Sequence, residues 1–439
     1  MQTVPGIVRV LIAFLIVLLL SRRLPLWLSL FVGSVVIGTW FGLSAPDQLR
    51  ATLTAAMDPR TVNLLATVGL ILVLSRLMDQ TGQLRRMAAG FESAIGAPQL
   101  RTAALPALIG LLPMPGGAIL SAPMVEASVD RRKETPEHMA ALNYWFRHVW
   151  EFWWPLYPGV ILAMAVTGVE EWRFMAHGFL LSPFAILGGW FFILRRMRTQ
   201  PDPERRTTRI PRLQTARELS PIAIVILGVL LAKVAFGLLG GERSGQAAGG
   251  VKTALLQQGP IFLGLGAAIL STCRRNRLPM RQAWRLAGHP MLLPLLLLVL
   301  AIMVFRGMLD ASHAMEAILA DLTRYRIPPL AMIVVLPFLG GMITGIAVGF
   351  VGTSFPLVVT LIAGILARAG GAADPVASLR YATLAFAFGW VGMILSPLHA
   401  CLILTRRYFN ASLWGIYRYL IGPSLTVAAG GLALWWLMR

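Results

Sequence analysis

The chain has 439 residues, of which 57% are hydrophobic and only 13% are charged. Soluble domains carry about 25% charged residues, so this composition and the apolar runs along the whole length exclude a soluble protein with a single anchor. The net charge of +20 comes from short Arg and Lys clusters between apolar runs. That arrangement indicates the positive-inside bias of a membrane protein and argues against nucleic-acid binding.

The apolar runs predict ten membrane-spanning helices in an all-α, polytopic protein. The first run ends at Arg22–Arg23 without a small-residue cleavage site, so it is interpreted as an uncleaved helix. The predicted spans of the first half are 5–21, 25–43, 61–80, 138–167 and 173–196. The predicted spans of the second half are 219–240, 258–273, 289–310, 377–405 and 411–437. Two Gly- and Pro-rich stretches, 102–126 and 329–365, predict re-entrant helical hairpins that enter and leave on one side.

The basic clusters predict the orientation of these helices in the cell inner (plasma) membrane. Arg195–Arg198 and the basic linker 201–217 are expected in the cytoplasm, because Lys and Arg accumulate on that side. The other strong basic clusters fall on the same side if neither hairpin adds a crossing. Both termini are then expected on the extracytoplasmic side.

An internal repeat relates the two halves of the chain. Residues 71–79 read ILVLSRLMD, and residues 302–310, which lie 231 positions later, read IMVFRGMLD. Pro155 and Pro397 match at a slightly larger offset of 242 residues. Because each half has five crossings, an odd number, the second repeat is expected to be inverted relative to the first. The predicted organisation is repeat 1 at 1–200, the linker at 201–217 and repeat 2 at 218–439.

The two hairpins are the first candidate binding elements. Their Gly and Pro residues interrupt helices, and the freed backbone groups are tolerated in a membrane only inside protein or against a wet cavity. Packing kinks and glycine-mediated helix seams are the alternative explanations. The candidate substrate-binding residues are Pro115, Gly116, Gly117 and Ser121 in the first hairpin, and Gly349, Gly352, Thr353 and Ser354 in the second. Thr344 is a candidate ligand of a coupling Na⁺.

The proline-broken helices that follow the hairpins supply the other candidates. Breaks at matched positions in two halves indicate a binding site. Arg147 and Glu151 are four residues apart, so they are predicted to share a helix face and to pair, either for structure or for function. The substrate-binding candidates here are Asn143, Arg147, Tyr157, Ser396 and His399, and the proton-carrying candidates are His148 and Glu151.

Three sequence runs carry a resemblance to a known family. LLPMPGGAILSAPMV at 111–125, NYWFRHVWEFWWPLYPGV at 143–160 and LSPLHACLILT at 395–405 resemble an uncharacterised prokaryotic integral-membrane family. That family is placed in the ion transporter superfamily with dicarboxylate, citrate, gluconate and arsenite permeases. The resemblance implies a homodimer with scaffold helices at 5–80 and 219–310. It also implies an elevator-type transport domain that holds the hairpins and the broken helices.

These patterns favour a secondary active transporter of a small organic anion, driven by Na⁺ or H⁺. A cation/proton antiporter and a lipid-phosphate flippase are the alternatives. No enzyme motif is present in the sequence. The two cysteines and six histidines follow no metal-ligand spacing, so neither a metal site nor a cofactor is predicted, apart from a coupling Na⁺. The expected partners are the anion, membrane lipid and a second copy of the chain.

Overall fold

The structure is a computed structural model. It describes residues 4–83, 86, 87, 90, 98–111, 117–130, 132–197, 211, 213, 217–221, 223–225, 227, 228, 231, 251–279, 281, 282, 285, 292–368 and 375–438. Within these ranges the regular secondary structure is entirely helical, as predicted. The chain divides into two compact units: unit 1 comprises 1–55, 97–205 and 301–439, and unit 2 comprises 56–96 and 206–300.

The helices follow one another with short connections. In the first half they are α1 (Gly6–Leu20), α2 (Leu26–Trp40), α3 (Ala45–Met57), α4 (Pro59–Gln80), α5 (Pro98–Gly110), α6 (Gly117–Ser128), α7 (Pro136–Arg147), α8 (Pro158–Thr167), α9 (Glu171–Phe179) and α10 (Leu181–Phe192). In the second half they are α11 (Val251–Arg275), α12 (Leu293–Ala311), α13 (Ala314–Arg324), α14 (Pro329–Thr344), α15 (Ala347–Arg368), α16 (Pro375–Ile394), α17 (Ala400–Phe409) and α18 (Leu413–Leu437).

Several helices are long and apolar enough to cross a bilayer. In the described part of the chain these are 59–80, 171–196, 293–311, 347–367, 377–394 and 413–437. The shorter helices α1, α2, α8 and α14 are also apolar. Because a span needs about 20 apolar residues, this set defines a multi-pass membrane protein. α15 has 22 residues, so its length alone is compatible either with a span or with one arm of a hairpin.

Both helices that were predicted to be broken are interrupted. The predicted helix 138–167 forms α7 and α8, with residues 148–157 in turns between them. The predicted helix 377–405 forms α16 and α17, with the break at 395–399. Pro158 begins α8 at a position where proline lacks only an N–H that would have had no partner in the helix. Each break therefore interrupts the regular backbone hydrogen bonds of a predicted span.

Matching helices of the two halves also pack alike. α8 and α17 each have ten residues and begin 242 positions apart. A Cβ added to Gly110 at the end of α5 would collide with the backbone carbonyl of Arg147. A Cβ added to Gly341 in α14 would collide in the same way with the carbonyl of Gly389. Gly341 lies 231 positions after Gly110 and Gly389 lies 242 positions after Arg147, which are the offsets of the sequence repeat.

Unit 2 contains a polar network of its own. Glu218 is 4% exposed, and its Oε1 lies 3.2 Å from Nε of Arg86 and 2.9 Å from Nη2 of Arg275. The side-chain amide of Gln83 donates to the Glu218 carbonyl at 2.9 Å. These contacts join the segment after α4 to the end of α11. Most of the predicted linker 201–217, and much of the predicted helix 219–240, lie outside the described residues.

Candidate functional site

The first broken helix brings a charged side chain into the interior of unit 1. Thr135 caps α7 by accepting from the His138 N–H at 3.2 Å, and Pro136 is the first helical residue. From this start α7 is buried from His138 to its last residue, Arg147, which is 4% exposed. A charge at this depth in an apolar helical protein is costly and typically has a function.

The Arg147 side chain contacts the first hairpin. A Cβ added to Gly117, the first residue of α6, would lie 2.6 Å from Nη2 and 2.7 Å from Nη1 of Arg147. Glycine thus allows the guanidinium to approach the backbone at the start of this helix. Tyr157 donates its hydroxyl hydrogen to the carbonyl of Gly110, on the other arm of the hairpin. The predicted candidates Pro115 and Gly116 lie between these arms, outside the described residues.

Glu151 faces the same interior region. It is 8% exposed, and it interacts electrostatically with Arg147. The side chains of Tyr157 and Trp390 also lie toward its carboxyl group. The predicted geometry of the Arg147–Glu151 pair was wrong in one respect: α7 ends at Arg147, so the two residues do not share a helix face. The turn at 148–153 brings the charges together instead.

Two histidines from the two breaks meet beside this pair. The ring centroids of His148 and His399 are 4.9 Å apart, and the rings are nearly perpendicular at 88°. Tyr144 packs edge-on against both, at 4.8 Å from His148 and 5.2 Å from His399. The reactive atoms of His148, His399 and Cys401 all lie within 4.8 Å of one another. The fold therefore assembles three metal-ligand types that are far apart in the sequence.

Asn143 links the first hairpin to the second broken helix. Its Nδ2 donates to the Ala118 carbonyl at 3.1 Å and to the Thr405 hydroxyl at 3.0 Å, and it is fully buried. Ser121 donates back to its own helix, to the Gly117 carbonyl at 3.3 Å. Thr405 was not among the predicted residues. Its position four residues after Cys401, on the same helix face, is the only sequence signal for it.

The second hairpin contacts the second break through its turn. Gly345, which ends α14, has a φ of +64° and lies against the backbone of Leu398 and His399. Ser396 donates to the Met342 carbonyl at 2.7 Å. The turn at Gly345 and the break at 395–399 therefore pack against each other around His399.

The other predicted residues of the second hairpin lie in helices. The hydroxyls of Thr344, Thr353 and Ser354 donate to carbonyls of their own helices, at 2.7, 2.8 and 2.6 Å. Gly349 lies against the side chain of Thr344, and Gly352 lies against that of Ile302.

Comparison with known proteins gives the class first. The fold is similar to that in "Crystal structure of the Alcanivorax borkumensis YdaH transporter reveals an unusual topology", with a TM-score of 0.60, 15% identity and 98% coverage of each chain. At this identity the similarity concerns the fold alone. The protein is thus a multi-pass helical membrane protein with the fold of a solved transporter. Over residues 6–239 and 251–437 it matches the family described as "Protein of unknown function (DUF401)", and it belongs to that family. No curated protein matches the chain.

Proposed function

We propose that this protein is an ion-coupled secondary active transporter of a small organic anion. The observation that carries the proposal is the buried Arg147 guanidinium against Gly117, at the start of α6. A helix N-terminus offers backbone N–H groups and a partial positive charge to an anion. A guanidinium beside it adds a planar set of donors that matches a carboxylate or phosphonate. Together they form an anion-binding corner inside an apolar protein.

The repeated packing supports an inverted-repeat transporter. Secondary transporters bind substrate where discontinuous helices of two repeats meet. Here the equivalent contacts of Gly110 with Arg147 and of Gly341 with Gly389 support that architecture. The anion is expected between the two hairpins and the two breaks, with Asn143 stabilising the corner. The residue of the second repeat that is equivalent to Arg147 is Gly389. The charge of the proposed site therefore comes from the first repeat alone.

The mechanism that we propose is elevator-type alternating access by a homodimer in the inner membrane, with both termini on the extracytoplasmic side. The support is the resemblance to ion transporter families, together with the likeness to a transporter fold. Na⁺ and H⁺ are both candidate coupling ions. The cation/proton antiporter is less favoured, because its carrier carboxylate should lack a fixed counter-charge. The charge of Arg147 is beside Glu151.

The test is the melting temperature of detergent-purified protein with succinate, citrate, gluconate and methylphosphonate, each with and without Na⁺ and at two pH values. A ligand that binds only the folded state raises the free energy of unfolding by mass action, by about 2.7 kcal/mol at a hundred times its Kd. The melting temperature rises as a result. We expect one anion to stabilise the wild type and Arg380→Gln, a variant of a half-buried arginine in α16, but not Arg147→Gln. Stabilisation by Na⁺ or by pH alone, with no anion active, would contradict the proposal and favour the antiporter.

A further inference from the structure

We infer that His148, His399 and Cys401 bind a zinc-class transition-metal ion, and that the transported anion completes its coordination. The inference rests on the proposed function for the anion, but the metal site rests on geometry of its own. The three reactive atoms lie within 4.8 Å of one another. All three residues belong to unit 1, and each lies at or next to a break between helices.

Each of the three side chains presents an available lone pair. Nδ1 of His148 lies 2.6 Å from the Tyr144 carbonyl, so it carries the proton and leaves to a metal the lone pair of Nε2, which lies 3.9 Å from Oε1 of Glu151. A backbone carbonyl in this role is the usual orienting partner of a metal-binding histidine. Nδ1 of His399 is buried without a hydrogen-bond partner among the described residues, although the residue is only 6% exposed. Cys401 is a free thiol.

A buried imidazole nitrogen without a partner needs an explanation, because such groups are costly. Tyr144 packs against both histidine rings and thereby fixes them nearly perpendicular to each other. Nitrogen and sulfur ligands of a tetrahedral Zn²⁺ are about 3.3 to 3.6 Å apart, given bond lengths of about 2.0 to 2.3 Å. The present separations of up to 4.8 Å close to that range through side-chain movements of about 1 Å.

The ligand set selects the class of metal. Two imidazoles and one thiolate suit zinc or copper, whereas Na⁺, Mg²⁺ and Ca²⁺ prefer oxygen ligands. Binding displaces the proton of the Cys401 thiol to solvent and forms a sulfur–metal bond, with no change in oxidation state. Three protein ligands leave the fourth position of a tetrahedral ion open, as in catalytic zinc sites.

A metal ion bound by the cluster would add positive charge beside Arg147, where the anion is proposed to bind. The Arg147 guanidinium interacts electrostatically with Glu151, Cys401 and Tyr157, and with both histidines of the cluster. A divalent ion on one thiolate adds a single positive charge. One carboxylate at the open position, with its second oxygen toward Arg147, would neutralise that charge.

The test uses the full chain, purified, freed of metal with a chelator and loaded with Co²⁺ or Zn²⁺. We expect one Co²⁺ per chain with a thiolate-to-cobalt absorption band in the near ultraviolet. The band should be lost in Cys401→Ser and kept in Cys273→Ser, which changes the other cysteine. Zn²⁺ should slow maleimide labelling of Cys401 in the Cys273→Ser protein by at least tenfold. His399→Gln provides a second variant if Cys401→Ser does not fold.

The outcomes separate the metal site from the proposed function. An absent band, or an identical band in Cys401→Ser, overturns the metal site. Anion binding that is as tight in chelator-treated protein as in the Zn²⁺-loaded protein overturns the coordination of the anion while leaving the transporter intact. A thiolate band in a protein that neither binds nor transports any anion contradicts the proposed function, and with it the fourth ligand, but leaves the three-residue site standing.

Discussion

Gly117→Ala tests the proposed contact between the first hairpin and Arg147. The new methyl group would lie 2.6 and 2.7 Å from the two terminal guanidinium nitrogens, so the guanidinium must withdraw by about 1 Å to reach ordinary contact distance. A hydrogen bond to a charged group contributes about 1.5 to 3 kcal/mol. Loss of one such bond weakens anion binding about 10- to 150-fold.

The fold should tolerate this change. Overpacking costs about 1 to 3 kcal/mol, and alanine in place of glycine in a helix returns about 0.5 to 1 kcal/mol. The free energy of unfolding is therefore expected to change by at most about 2.5 kcal/mol. Gly110→Ala is the contrasting variant. Its methyl group collides with the backbone of Arg147, which cannot move aside as a side chain can.

The assay is the Kd of the stabilising anion, from melting temperature against ligand concentration, in wild type, Gly117→Ala and Gly266→Ala. Gly266 is an exposed residue of α11 with open space around it, so it controls for the substitution itself. We expect a weaker Kd in Gly117→Ala only. Affinity in Gly117→Ala within twofold of wild type would refute the reasoning.

Three further predictions concern stability. Glu218→Gln removes the charge that Arg86 and Arg275 share and should lower the free energy of unfolding by about 1.5 to 3 kcal/mol; an unchanged urea midpoint would refute this. Gly345→Ala places a side chain at a φ of +64° and should cost about 1 to 2 kcal/mol from backbone strain alone, measured by melting temperature. Asn143→Ala removes two buried hydrogen bonds and should cost about 1 to 3 kcal/mol; a stability equal to wild type would show that these bonds contribute nothing.

Much of the architecture follows from the sequence because apolar run length and helix-breaking residues act locally. The apolar runs predicted a multi-pass helical protein, and the prolines near residues 155 and 397 predicted the two breaks. The residue at which α7 ends could not be predicted from the sequence. The Arg147–Glu151 spacing fits a helix face, but the chain leaves the helix at Arg147 and turns through 148–157 before Pro158 begins α8.

The composition of the candidate site was harder to predict, because it depends on contacts between distant segments. Cys401 lies more than 250 residues after His148, so no ligand spacing along the chain could indicate their proximity. The same is true of the Thr405 hydroxyl that accepts from Asn143. The predicted binding roles of Thr353 and Gly352 stay predictions: the Thr353 hydroxyl donates within α15 and lies close to Gly340 of α14, and Gly352 lies against Ile302.

The central claim is coupled anion transport, and uptake into proteoliposomes tests it most directly. Radiolabelled succinate, citrate and gluconate would be offered to vesicles that hold the purified protein under an imposed Na⁺ or proton gradient. The account predicts that one anion accumulates above its external concentration, that an ionophore collapses this accumulation, and that Arg147→Gln abolishes it while Arg380→Gln does not. Folded protein that moves an ion without any anion, or accumulation that persists in Arg147→Gln, would contradict the account.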